Sequence, residues 1–495
     1  MSMEKEKKHP SVFEPFAIVL NLAVSVVGAI IGIQIVTTLG VTPSTSIIGA
    51  LVAMLIARIP MELFRKYKSI HRQNLMQTSI SSATFGAANS LLIPIGIPFI
   101  MGKTELILPM LIGAALAMFI DATLLYKLFD SRIFPARESW APGVATAESI
   151  LAGDKGGKRA GLLGIGALIG VIGSVLKIPM SALGVAFIGN IWALTMFGVG
   201  LLINQYSMPL FQLDVGKLYI AHGIMIGAGI VALIQVAVLI FKREDSAAEA
   251  SKENEAVTVP MRSVKRTLGL GYVAYLAVAV IIAVLGGLMT KMSAGMLIGF
   301  IIFAAFAAFF HELIVGIAAM HSGWFPAFAD MGYDLKTGYI LRGNGSDKEL
   351  EIRGRKQQYY TGMIAFGVAL LTVVLTYKGF FGQNLVPPID KVYASTINAG
   401  ASLDVAMKLL IWAIPGAIIQ WIGGPNRQLG VMLATGLLIV SPNACWAVLG
   451  GILIRVAVLK IKGKKAESTM SILAAGFIAG DALYSFFTSV FKASK

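Results

Sequence analysis

The stretch FAIVLNLAVSVVGAIIGIQIVTT, residues Phe16 to Thr38, decides the fold class. It is apolar on every face of a helix, whereas a strand of a membrane barrel alternates polar and apolar residues over about ten positions. About 20 apolar residues cross a hydrocarbon core of roughly 30 Å as a helix. The stretch therefore predicts a membrane-spanning helix.

Similar apolar runs follow along the rest of the chain. They lie at 44–64, 76–101, 104–126, 159–178, 183–204, 217–241, 267–289, 293–317, 359–377, 402–422, 429–459 and 469–491. Hydrophobic residues make up 56% of the 495 residues and charged residues only 14%, a balance that soluble domains do not have. The sequence thus predicts an all-α polytopic membrane protein with about thirteen crossing candidates.

The formal charge of +15 comes from Lys and Arg in the polar gaps beside the apolar runs. Arg65 and Lys66 follow the second run, and basic residues also occur in 242–266 and in 321–358. Cytoplasmic loops of membrane proteins carry such a basic excess. We therefore expect a multi-pass protein of the inner (plasma) membrane that contacts lipid and not nucleic acid. These loops and the N-terminal tail, residues 1–15, are assigned to the cytoplasm.

A polar linker at 242–266 divides the apolar region into two parts of nearly equal length, 16–241 and 267–492. Equal parts predict two pseudo-repeated transmembrane halves. In carriers built this way, the solute binds near the bilayer midplane between the repeats.

The number of runs before the linker indicates an irregular segment in the first half. Seven simple crossings from a cytoplasmic start would place the linker outside, against its basic content. Broken or re-entrant helices occur at membrane depth only against protein or a wet cavity, so such a segment indicates a transport path. Three segments are candidates: 74–101 with Pro94 and Pro98, 141–153, which is too short to cross, and 204–214 with Pro209.

The stretch from Trp140 to Asp154 is the most informative for function. Pro142 and Gly143 can start a short helix whose following residues are small, and Glu148 lies at its centre. Small residues allow a backbone or a solute to approach closely. The alternative interpretation is an amphipathic surface helix with a solvated Glu148.

The pattern Pro142-Gly143-x-Ala145-x-Ala147-Glu148 resembles the Phe-Pro-x-Gly-x-Ala-x-Ala-Glu-Val signature of the oligopeptide transporter superfamily, which includes the yellow-stripe-like carriers of metal chelates. Two further stretches are similar to that family, Asn74-Leu-Met-Gln77-Thr78 and the segment that ends in Gly480-Asp481. The resemblance implies a prokaryotic member with about sixteen helical segments, which gives 13–16 transmembrane or re-entrant helices in all. It also implies proton-driven uptake of small peptides or metal chelates by alternating access.

Three carboxyl groups inside apolar runs are candidates for proton coupling, Glu148, Glu312 and Asp481. A charge at the centre of a membrane helix costs about 2.5 to 3.5 kcal/mol on insertion scales, so such a group must pair, face the interior or be neutral. The alternative for each is a structural ion pair.

Candidate solute-binding residues come from the family-like stretches and from the suspected break near Pro209. They are Asn74, Gln77, Pro142, Gly143, Thr146, Glu148, Gln205 and Tyr206. The alternative for the last two is an ordinary polar loop.

Other functional classes fit less well. His311-Glu312 begins like the zinc protease motif, but Val315 stands where the second His is needed. The single Cys445 excludes an intramolecular disulfide and a cysteine cluster for a metal. We therefore predict no enzyme activity, no metal site and no cofactor. A channel-like pore and a carrier of another superfamily remain alternatives, and both an isolated subunit and a homodimer are compatible with the sequence.

Overall fold

The computed structural model describes most of the chain outside the central region. The described residues are 9–39, 45–131, 134–138, 140–155, 157–241, 327–387, 403–438, 443–463 and 466–493, with the single positions 273, 277, 390 and 394. The linker 242–266 and the predicted spans 267–289 and 293–317, with His311 and Glu312, lie outside the ranges described here.

Helices account for almost all of the described residues. In chain order they are α1 (Pro15–Leu39), α2 (Thr45–Ile56), α3 (Ile70–Phe85), α4 (Ile93–Ile100), α5 (Ile107–Leu128), α6 (Ala141–Lys155), α7 (Gly157–Val175), α8 (Met180–Ile188), α9 (Ile191–Phe211), α10 (Ile220–Phe241), α11 (Ala327–Leu341), α12 (Lys348–Gly382), α13 (Leu403–Arg427), α14 (Leu429–Leu438), α15 (Ala444–Lys462) and α16 (Ala466–Ala493). Two 3₁₀ helices, Glu62–Lys68 and Thr104–Leu106, precede α3 and α5.

Seven helical stretches in the described ranges are long and apolar enough to cross a membrane. They are Pro15–Thr37, Ile70–Ile100, Thr104–Leu128, Gly157–Val175, Lys348–Gly382, Met407–Gly424 and Ala444–Lys462. Shorter apolar helices lie between them. The predicted fold class, an all-helical polytopic membrane protein, is confirmed.

Two predicted runs are each divided into two helices. The run 183–204 breaks between α8 and α9, because Gly189 and Asn190 are extended and the Asn190 side chain caps α9 at the Ala193 amide, 3.2 Å away. The run 429–459 contains α14 and α15, and Asn443, with a φ of 62°, cannot continue a right-handed helix. A count of apolar residues does not detect such short turns.

The suspected breaks in the first half have different outcomes. Helix α9 continues through Pro209 and ends at Phe211, so the helix is not interrupted at Pro209. The span Ile70–Ile100 contains a π-helical segment, Gly86–Leu92, and Pro94 follows at the second position of α4. A π segment widens the helix locally and often marks a functional site.

Close packing of α7 against α16 depends on glycine. A β-carbon on Gly480 would lie 2.2 Å from the Ala167 carbonyl oxygen, and one on Gly170 would lie 2.6 Å from that of Phe477. Small residues that let backbones approach in this way are a common means of packing helices in membranes.

The described part of the stretch 321–358, residues 327–358, is mostly helical and is not a loop. It contains α11, which is buried against α3, α5, α6 and α12. Lys336, Arg342 and Arg355 are buried and bonded to acceptors inside the protein. The stretch was interpreted as a loop from its basic content, whereas these three charges belong to helices and are satisfied inside the protein.

Candidate functional site

Helix α11 carries two buried carboxyl groups, Asp330 and Asp334. They are four residues apart, so both lie on one face of the helix. Their residues are 3% and 0% exposed.

Asp330 is held by hydroxyl groups from two other helices. Thr45, the first residue of α2, donates its Oγ1 proton to Asp330 Oδ1 over 2.6 Å. Ser81 of α3 lies 2.9 and 3.0 Å from the two Asp330 oxygens.

Asp334 has a similar set of neutral donors. Ser46 of α2 donates to Oδ1 over 3.0 Å, and the Gln77 amide of α3 donates to the same oxygen. Ser82 lies 3.4 Å from Oδ2. Helices α2, α3 and α11 therefore meet at the two carboxyl groups, which we call the carboxyl pair.

Within the described ranges, no cationic side chain forms an ion pair with either member of the carboxyl pair. Burying an isolated carboxylate is so costly that the group takes up a proton or a cation instead. The pair is thus chemically suited to bind and release a proton.

An ion-pair network next to the carboxyl pair uses its charges internally. Arg342 makes two bonds to Glu351, of 2.7 and 3.1 Å, and both side chains are fully buried. Arg355 bonds to Glu351 over 3.2 Å and to Asp130 over 3.4 Å. Two cations therefore face two anions, which leaves no surplus positive charge for the carboxyl pair.

Gln358 of α12 joins the network to the pair. Its Nε2 donates to the Asp334 carbonyl oxygen over 2.7 Å and to Thr78 Oγ1 over 3.2 Å. Its Oε1 accepts a hydrogen bond from Arg342 over 2.7 Å. A displacement of α11 would therefore strain or break hydrogen bonds to α3 and α12.

Of the predicted binding residues, Asn74 and Gln77 lie at the carboxyl pair. Both are buried on α3, and the Asn74 amide donates to Gln77 Oε1 over 3.1 Å. Gln77 in turn bonds to Asp334.

Helix α6 brings Gly143 against α11. The Gly143 carbonyl oxygen accepts a proton from Thr337 over 3.0 Å. Pro142 is the second residue of α6, and its carbonyl oxygen accepts a hydrogen bond from the Thr146 hydroxyl over 2.7 Å. Glu148 forms a partly exposed salt bridge of 2.7 Å with Arg159, the arrangement given above as the alternative to a proton site.

We expect Gly143→Ala to destabilise the protein by about 1–3 kcal/mol through overpacking. A β-carbon there would lie 2.6 Å from the Tyr333 carbonyl oxygen and 2.8 Å from Lys336 Cβ. Gly161→Ala is a matched control, because nothing lies within 4 Å of a β-carbon at that helical position. In thermal unfolding of the purified protein, the midpoint should be lower for Gly143→Ala than for the wild type. The midpoint of Gly161→Ala should not be lowered. Equal midpoints would contradict the close α6–α11 contact.

Gln205 and Tyr206 lie at a different place, where α9 meets the start of α15. Gln205 Oε1 accepts the Asn443 backbone proton over 3.0 Å, and Tyr206 Oη accepts the Trp446 indole proton over 2.7 Å. No described hydrogen bond connects them to the carboxyl pair.

Asp481 of α16 lies at the N-terminal end of α8. Its carboxylate accepts hydrogen bonds from Ser174 Oγ over 2.6 Å and from the Ser181 backbone amide over 3.1 Å. A helix N-terminus stabilises a carboxylate, so Asp481 has a structural partner. Arg455, another charge within a span, donates to the Gly189 carbonyl oxygen just past the end of α8.

Sequence reasoning missed Asp330 and Asp334 because their stretch was interpreted as a loop. The available signal was the spacing of the two Asp residues by four positions among Met331, Tyr333 and Leu335, which places acids on one helix face. Their hydroxyl partners on α2 and α3 are distant in sequence and gave no such signal.

Comparison with known proteins gives one family. A model of OPT oligopeptide transporter proteins matches residues 15–241 and 325–492. The carboxyl pair falls within the second match, which begins immediately before α11, and its partners on α2 and α3 fall within the first. No curated protein and no solved structure matches the chain.

Proposed function

The chain belongs to the OPT oligopeptide transporter family, and on this premise we propose that it is a secondary carrier that moves small peptides or metal chelates together with protons by alternating access. The family is one of transporters of oligopeptides or related solutes. The finer claims of proton coupling and alternating access rest on the carboxyl pair.

The absence of a cationic partner for Asp330 and Asp334 among the described residues carries this proposal. One of the two carboxyls binds a proton from the side to which the carrier is open. Protonation of that carboxyl removes the repulsion between two buried anions, and the lower charge of the pair allows α2, α3 and α11 to remain packed during the change of access. Release to the other side restores the charge.

The solute is proposed to bind beside the pair, against α3 and α6. Asn74 and Gln77 offer amide groups on α3, and Pro142 and Thr146 lie on α6, which Gly143 holds close to α11. Glu148 can attract a cationic group, and its salt bridge to Arg159 must then open. Gln205 and Tyr206 are proposed to act at a separate point on the solute path.

The orientation follows from loop charge. The basic residues Arg65, Lys66 and Lys68 lie in an exposed 3₁₀ helix between α2 and α3, which supports a cytoplasmic N-terminus. Uptake into the cell would then be driven by an inward proton gradient across the plasma membrane.

A transport assay in liposomes tests this function. We expect di- to tetrapeptides or iron and nickel chelates to accumulate above their external concentration when the outside is made acidic, and to leave when a protonophore is added. A channel would only equilibrate the solute. Equilibration without accumulation for every solute that enters would contradict a proton-coupled carrier.

A further inference from the structure

A short segment before α1, His9 to Glu14, bridges α3 and α12. Val12 is fully buried, and its backbone proton is donated to Gln357 Oε1 of α12 over 2.9 Å. The His9 ring packs against the ring of His71 of α3, with 5.1 Å between centroids.

The C-terminal end of the segment also contacts both α12 and α3. The Phe13 ring lies 5.5 Å from that of Tyr360 on α12. Glu14 makes two bonds to Arg72 of α3, of 2.8 and 2.9 Å. The segment thus ties together the two helices that hold Gln77 and Gln358.

His9 lies in a buried position that faces positive charge. Its ring packs so closely on α12 that a β-carbon on Gly354 would lie 2.8 Å from His9 Cδ2 and 2.4 Å from Arg342 Cδ. The titratable or charged groups that act on it are Arg342, His71 and Arg72. Among the described residues, no acid is one of these groups.

We propose that residues His9–Glu14 form a latch between α3 and α12 that opens when His9 is protonated. The latch is formed by the contacts of this segment with α3 and α12 alone. Its consequence for transport rests on the proposed function, because α3 and α12 both bond to α11 and must move with it when access changes.

The direction of the pH effect follows from the local electrostatics. Burial, and then the charges of Arg342 and His71, lower the pKa of His9 from 6.5 to about 3. The docked segment therefore binds fewer protons than the free one, and docking weakens as the pH falls below about 6.5. These values make the docking constant about 30-fold smaller at pH 5 than at pH 8.

Glu14 does not produce this effect. Its hydrogen bonds to Arg72 hold the pKa of Glu14 below the ordinary value, so the carboxylate stays ionised at pH 5. The salt bridge to Arg72 is then present at both ends of the pH range.

Hydrogen exchange of the full-length protein in detergent, without solute or gradient, tests the latch. At pH 8 the amides of residues 11–14 should be protected. At pH 5, after correction for intrinsic exchange rates, protection in the wild type should fall by up to about 30-fold. His9→Gln, which cannot take up a proton, should keep its protection at pH 5.

His71→Gln is the matched control, since it removes the neighbouring imidazole and leaves His9. It should retain the pH dependence. Three results would overturn the proposal: unchanged protection in the wild type, equal loss of protection in His9→Gln, or loss of the pH dependence in His71→Gln. Because the readout needs no transport, failure of the latch is distinguishable from failure of the transport function.

Discussion

Asp334→Asn is expected to abolish accumulation driven by a proton gradient while leaving solute exchange across the membrane intact. Asn has the shape of a protonated Asp, and its oxygen can still accept hydrogen bonds from Ser46 and Gln77. The substitution therefore fixes position 334 in the neutral state. A gradient of one pH unit supplies about 1.4 kcal/mol per proton, enough for about tenfold accumulation of a neutral solute. The variant should show no accumulation of solute above the external concentration.

The measurement compares net uptake with exchange of labelled solute in liposomes. Asp347→Asn is the control, because Asp347 is an exposed N-cap of α12 that Asn can replace. It should accumulate solute as the wild type does. Accumulation by Asp334→Asn at the wild-type level would remove Asp334 from the coupling step.

Glu351→Gln is expected to cause the largest loss of stability, about 3–5 kcal/mol. Glu351 neutralises Arg342 and Arg355, and the Arg342 and Glu351 side chains have no exposure. The substitution leaves buried positive charge without its counter-charge. A thermal unfolding series in detergent, read by tryptophan fluorescence, should show a strongly lowered midpoint.

Glu349→Gln is the matched control, two residues away on the same helix. Its salt bridge with Arg353 is exposed on both sides, and such pairs contribute only about 0–1 kcal/mol. A similar midpoint for the two variants would mean that the buried network contributes no more than a surface pair.

The sequence predicted the membrane helices well because hydrophobic length is a local property. Helix α1 follows directly from its uninterrupted apolar run. The turn at Gly189 and Asn190 was missed because two residues barely change a 20-residue average. Helix α11 was missed for a different reason, since its ionisable residues are satisfied by partners that are remote in sequence.

The candidate site could be predicted only in part. Asn74 and Gln77 were found through a family-like motif, and they lie beside Asp334. Thr45 and Ser46 could not be predicted, because their role depends on where α2 meets α11. Glu148 and Asp481 attracted attention as charges in apolar runs, yet each has a local partner that only tertiary structure reveals.

In the proposed mechanism, solute and proton move together, and the carboxyl pair carries the proton. The most direct measurement uses purified protein in liposomes at equal pH on both sides, with an internal pH dye and an inward gradient of the transported peptide or chelate. The account predicts acidification of the interior that depends on the solute and is lost in Asp334→Asn. Solute entry at an unchanged internal pH in the wild type would contradict it.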